Sequence, residues 1–143
     1  MISPIFADVE TLVVDYLRSR LGDFPFEWSD ISVRAVSRAD RGPDDDPELT
    51  VRCEESAGDP LITQRATVRV TAWAEERDDA KEIARLAHAG LIGHPGDADV
   101  LSVRQVEGVV VEEKGEHADR RASFSVLVAQ RPSRPDQGRS EHE

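Results

Sequence analysis

Val68-Arg69-Val70-Thr71-Ala72-Trp73-Ala74, followed within a few residues by Asp79-Ala80-Lys81-Glu82-Ile83-Ala84, is the stretch that decides the fold. In the first part Val68, Val70, Ala72 and Ala74 alternate with Arg69, Thr71 and Trp73, the period of two that gives a strand one dry and one wet face. In the second the period changes: Ala80, Ile83, Ala84, Ala87 and Leu91 recur every three or four residues, as on one face of a helix. Small alanines on that face allow close approach to a sheet. Asp78 or Asp79 can cap the orphan amides of the first turn, and Gly93-His94-Pro95-Gly96 ends the helix.

Upstream, Phe6, Val9, Val13, Tyr16, Leu17 and Leu21, supplemented by Leu12, predict a first helix from Phe6 to Leu21. Pro4 lies at or before its first turn and Gly22 sits as a C′ residue. Phe24-Pro25-Phe26-Glu27-Trp28 is a loop packed on the core or an exposed contact. Ile31, Val33 and Ala35 alternate as a short strand. The turn-rich Arg38–Pro47 carries Asp40, Asp44, Asp45 and Asp46 without the spacing of a calcium-binding loop, and reads as solvated acid. Leu49, Val51 and Cys53 mark the next strand, joined through Ala57-Gly58-Asp59-Pro60 to the one running from about Leu61 to Ala74. Val100–Glu112 and Arg121–Ala129 form the last hairpin, Gly108 marking a bulge and Glu113–Asp119 a charged tip.

The predicted order is thus α-β-β-β-α-β-β: an α+β fold with a mainly antiparallel sheet of four to five strands and both helices on one face. Residues 1–130 make one domain, and the apolar-free 131–143 a disordered polar tail. For 143 residues, 38% hydrophobic and 33% charged content with a mean hydropathy of -0.48 imply a thin core that profits from neighbouring subunits.

The net charge of -11 argues against gripping phosphate backbones. The single Cys53 excludes an internal disulfide and a thiolate zinc site. Met1–Phe6 lacks the basic and apolar regions of an export signal, and no apolar stretch nears the ~20 residues that span a bilayer, so a soluble protein without membrane partners is expected. No nucleophile elbow or glycine-rich phosphate loop occurs. His88, His94, His117 and His142 lack paired ligand spacing, and the adjacent Glu112 and Glu113 would point to opposite strand faces. The sequence therefore predicts no enzyme and no cofactor.

Asp8-Val9-Glu10-Thr11-Leu12-Val13-Val14-Asp15-Tyr16-Leu17-Arg18 and the Val68–Ala74 strand leading into its alanine-rich helix resemble the tail terminator proteins of siphophages, over roughly Ile5–Ala129. The family's opening "a-x-x-L-V-x-x-Y-L-R" helix and "V-x-x-W-A" strand are packing patterns, not catalytic signatures. The resemblance implies a virion protein of the tail and neck, assembled in the host cytoplasm. Its subunits would form a homo-hexameric ring that caps the tail tube, stops its growth and meets a head–tail connector or stopper protein, while DNA passes through the lumen without specific binding. The acidic balance would keep that DNA from sticking. The long acidic stretch Asp40–Pro47 departs from the family's common short linkage. Another connector component (stopper, adaptor) or minor tail protein, and more distantly a small-molecule-binding regulatory module, are the competing readings.

Candidate interface residues are Trp28, Arg34, Arg52, Arg69 and Trp73, because arginine and tryptophan on a wet sheet face are the types enriched at interface hot spots. Burial of Trp73 beneath the second helix is the plain alternative. The Val100–Ala129 hairpin and the Phe24–Trp28 loop are the candidate contact elements.

Overall fold

The computed structural model describes residues 8–35, 47–57, 64–111 and 121–132. Its elements are α1 (Val9–Arg20), β1 (Ser32–Arg34), β2 (Glu48–Ala57), β3 (Gln64–Trp73), α2 (Arg77–Ile92), β4 (Val100–Val111) and β5 (Arg121–Gln130), with two 3-10 turns, Leu21–Asp23 and Phe26–Trp28, after α1. This is the expected α+β order. One five-stranded sheet runs β1-β2-β3-β5-β4; β1 pairs with β2 in parallel and every other pairing is antiparallel. The chain leaves β3 through α2, lays β4 at the sheet edge and returns with β5 into the gap between them.

Rows of side chains across the sheet explain why the helices sit where they do. Directly paired residues share a face, so the register aligns Val33, Leu49, Ala72 and Ala122, then Val51, Val70 and Phe124, then Val68 and Val126, and finally Ala66, Val128 and Val103. All of these are buried. On α2, Ala80, Ile83, Ala84, Ala87 and Leu91 are wholly buried, and the helix lies across β3, β5 and β4. Val9, Val13, Val14 and Leu17 do the same for α1 over β1 and β2. Each buried Val, Leu, Ile or Phe contributes about 1.5–3 kcal/mol of transfer free energy, so this dry face is the main source of stability.

Polar ties fix the helices in place. The amide of Cys53, at the β2 irregularity between Cys53 and Glu55, donates to Glu10 Oε2 at 2.7 Å, so α1 satisfies a donor beside a break in the ladder. Arg18 donates twice to the Val33 carbonyl, at 3.1 and 2.7 Å, holding the end of α1 on β1. Tyr16 donates to the Gly90 carbonyl at 3.1 Å and packs on the ring of His94, centroids 4.2 Å apart, joining α1 to the end of α2.

Several local expectations are corrected. Asp8 caps α1, accepting from the Glu10 amide, so the helix starts at Val9 and not at Phe6; Pro4 and Phe6 lie outside the described residues. Gly22 does not take the left-handed C′ conformation, because α1 tightens into a 3-10 turn that satisfies its last carbonyls. The cap of α2 is Glu76, without a side-chain hydrogen bond, while Asp78 and Asp79 fall in the first turn, where their charge favours the helix dipole. The acidic stretch Asp40–Asp46, Gly58-Asp59-Pro60, the Glu113–Asp119 tip with Glu112, and 133–143 lie outside the described residues.

The α2–β4 connection is built around Asp97. Its Oδ1 accepts from the amides of Asp99 and Val100 at 2.8 and 2.7 Å, while Gly96 at φ 89° makes the turn that only glycine enters cheaply. Burial pushes the Asp97 carboxyl up, but the Val100 and Asp99 amides, with the charges of His94 and Arg131, outweigh it and hold the group below the ordinary carboxylate value. A depressed pKa stabilises the fold above the unfolded carboxylate value and loses that contribution as pH falls through the folded one. Asp97→Asn is therefore expected to flatten the acid side of the stability–pH profile below about pH 4, measured by urea unfolding across pH. Phe124→Ala, at the centre of the dry face, should cost about 3–5 kcal/mol in the same assay.

Candidate functional site

The second face of the sheet has no helix over it among the described residues. The register places on it the rows Ser32, Glu48, Trp73 and Arg121; Arg34, Thr50, Thr71, Ser123 and Val110; Arg52, Arg69, Ser125 and Glu107; Glu55, Thr67, Leu127 and Arg104; and Ala57, Arg65, Ala129 and Ser102. Four of the five residues singled out from sequence, Arg34, Arg52, Arg69 and Trp73, therefore share one surface. Trp73 lies on the face opposite α2, which corrects the alternative that α2 covers it. Trp28 is not among them: it is 7% exposed within the core, at the end of a 3-10 turn. The same short turn carries Phe26, 93% exposed, so the aromatic segment divides into one ring in the core and one in solvent.

Arg69 is the hub of the open face. Its Nε donates to Glu54 Oε2 at 3.0 Å, Nη2 to Glu107 Oε1 at 3.2 Å and Nη1 to the Ser123 hydroxyl at 3.0 Å, which links β2, β3, β5 and β4 in one line. Partial burial alone would lower the Arg69 pKa, yet the two carboxylates raise it above the ordinary guanidinium value. The group is thus a fixed positive charge at every accessible pH. Small Ser123 and Ser125, 1% and 2% exposed, leave room for the long side chains above them.

A second cluster closes the β1 side. Trp73 Nε1 donates to Thr50 Oγ1 at 3.2 Å, and the guanidinium of Arg121 stands 5.3 Å from the Trp73 ring centroid, a cation–π contact across the directly paired strands. Glu48, opposite Trp73 and 2% exposed, faces Arg34 Nη2 at 3.6 Å. The arrangement offers guanidinium groups and one half-buried indole to a macromolecular surface.

No protein-family model and no curated protein matches the chain. The open face therefore has to be interpreted from its chemistry. No group of three or more His, Cys, Asp or Glu among the described residues is placed to hold a metal ion, and no described helix is long and apolar enough to cross a membrane. His88 packs edge-on against Phe124 at 5.1 Å, with its Nε2 buried and lacking a hydrogen-bond partner among the described residues; His94 accepts from the Gly96 amide through Nδ1 at 2.8 Å. Both histidines brace the fold.

Arg65, Arg104 and Arg121 join the face but were not singled out from sequence. Arg65 had a usable signal, since it shares the alternation of Arg69 and Trp73. Arg121 had the same signal, since it shares the phase of Ser123 and Ser125 opposite the buried Ala122, Phe124, Val126 and Val128. Arg104 had none: β4 carries register shifts between Val100 and Ser102, Gln105 and Glu107, and Glu107 and Val110, so its facing cannot be read by alternation.

Truncating Arg69→Ala leaves Glu54 and Glu107 without their shared cation, and should cost about 1 kcal/mol in urea unfolding. Arg52→Ala, removing a like charge paired directly with Arg69, should be neutral or slightly stabilising.

Proposed function

We infer that the chain is a structural subunit of a phage tail, forming a ring that caps the tail tube, ends its polymerisation and joins it to the head connector. The observation that carries this reading is the outer edge of β4. It is 12 residues long, and it exposes Leu101 by 42%, Val106 by 55% and Val110 by 45%. Leu101 and Val106 are the extra residues at two of the β4 register shifts, so they project from a strand whose outer amides and carbonyls face away from the sheet. Exposed aliphatics on an unpaired edge are a liability unless a neighbour covers them.

Cyclic rings are built by heterologous contacts, in which one surface of a subunit meets a different surface of the next. A bulged edge suits such closure, because it admits a partner strand only between irregularities and so discourages flat, open-ended stacking. Phe26, rigidly presented by its 3-10 turn, supplies a second apolar anchor. The tail terminator resemblance of Asp8–Arg18 and Val68–Ala74 gives the contacts their context: one ring face imitates a tube subunit, and the other offers no site for another tube ring. Growth then ends by geometry, with no chemistry required.

Size-exclusion chromatography with light scattering, run with and without purified tail tube protein, tests the reading. Stable multimers that bind tubes are expected, and Val106→Lys should weaken assembly by roughly tenfold or more. A strict monomer that ignores tubes overturns it, and multimers that bind portal complexes instead of tubes would reassign the subunit to another neck component.

A further inference from the structure

The charge of the chain is not spread evenly over its surface. The open face carries the six arginines Arg34, Arg52, Arg65, Arg69, Arg104 and Arg121, against the four glutamates Glu48, Glu54, Glu55 and Glu107, of which Glu55 stands at the register position of Thr67. This basic surface sits on a molecule of net charge -11. Three of the arginines, Arg52, Arg65 and Arg104, are exposed, and no carboxylate among the described residues pairs with them. They surround the half-buried Thr67, Leu127 and Ala129. From β2 to β4 this platform spans three strand spacings, roughly 14 Å.

The complementary surface is on the same chain but on the other side of the sheet. Glu75, Glu76, Asp78, Asp79 and Glu82 crowd into the entry of α2, beside Arg77 and Lys81, and all but the partly exposed Asp79 are exposed. From Glu76 to Glu82 the helix rises roughly 9 Å, short enough to lie within the platform. A subunit cannot bring these two surfaces together within itself, because its own sheet separates them.

We propose that the arginine platform of one copy receives the acidic entry of α2 from a second copy, a head-to-tail contact in which Arg52, Arg65 and Arg104 pair with Glu76, Asp78 and Glu82. The inference rests on the self-assembly reading and adds the surfaces and their chemistry. The platform reaches β4 through Arg104 and so continues into the exposed edge already described. The pairing also orients the contact: like faces repel, so two-fold docking of platform on platform is disfavoured and directional docking is selected. Duplex DNA is the competing anion, and the overall negative charge of the chain opposes its approach.

The test is a charge swap on the full chain, with circular dichroism to show that each variant folds. One variant carries Arg52→Glu, Arg65→Glu and Arg104→Glu; the other carries Glu76→Arg, Asp78→Arg and Glu82→Arg. Each alone should self-associate roughly tenfold or more weakly than the wild type, by analytical ultracentrifugation, and an equimolar mixture should recover association, because only the mixture restores opposite charges across the contact. Where a variant fails to fold, single substitutions Arg104→Glu and Glu82→Arg replace the triple sets. Wild-type assembly that both variants retain would overturn this contact while leaving self-assembly standing; a wild type that is monomeric at all concentrations would overturn both. Retention of a duplex DNA by the wild type, lost in the arginine variant, would assign the platform to nucleic acid and overturn the proposal.

Discussion

Both described helices pack on one face of the five-stranded sheet, and the distribution of side chains answers to that constraint. On the covered face the centre of the paired rows is aliphatic or aromatic and buried, from Leu49 through Val70 to Phe124 and Val128. On the other, the same strands present arginine, serine, threonine and one indole. The alternation within β3 therefore does two jobs: Val68, Val70 and Ala72 supply the core, and Arg69 and Trp73 supply the surface. A one-residue slip would exchange them, which is why the polar ties at the strand irregularity and at the helix ends matter. Glu10 on the Cys53 amide and Arg18 on the Val33 carbonyl hold α1 over the side of the sheet where its valines belong.

How much of this could be read in advance depended on whether the signal was local. Alternation in β3 and the alanine stripe of α2 are local, and they identified Ala80, Ile83, Ala84, Ala87 and Leu91 as the packing face of α2 without any knowledge of the sheet. Arg34, Arg52, Arg69 and Trp73 were recognisable as wet-face residues by the same rule, but sequence could not say that they share one surface, because that requires the strand order. The parallel pairing of β1 with β2 and the insertion of β5 between β3 and β4 are set by tertiary packing. Arg104 is illegible because β4 breaks its alternation at the register shifts. Helix ends are hard to read where a neighbouring residue offers an equally good cap: Asp8 serves α1, and Glu76, without a side-chain hydrogen bond, serves α2.

The open face is ordered as well as polar. Arg69 binds carboxylates from the strands on either side of its own neighbourhood, so the pattern of charge across β2, β3, β5 and β4 is held in register. Such a surface costs little to present to a partner, since its side chains have already given up much of their rotamer freedom. Among the described residues a cluster of carboxylates lies at the entry of α2, on the other side of the sheet, so the described surface is electrically two-sided despite the acidic total of the chain. Two-sidedness of this kind favours directional association over symmetric pairing, and the exposed β4 edge lies at the margin of the basic side.

Ring assembly requires that the outer edge of β4 be covered when copies of the chain meet. Amide hydrogen exchange followed by mass spectrometry, at dilute and concentrated protein, measures this directly. Exchange in Val100–Val111 should slow as concentration rises, while the core strand β3, already paired on both sides, stays constant. Exchange in β4 that is fast and independent of concentration, with tail tube protein present or absent, would contradict the account.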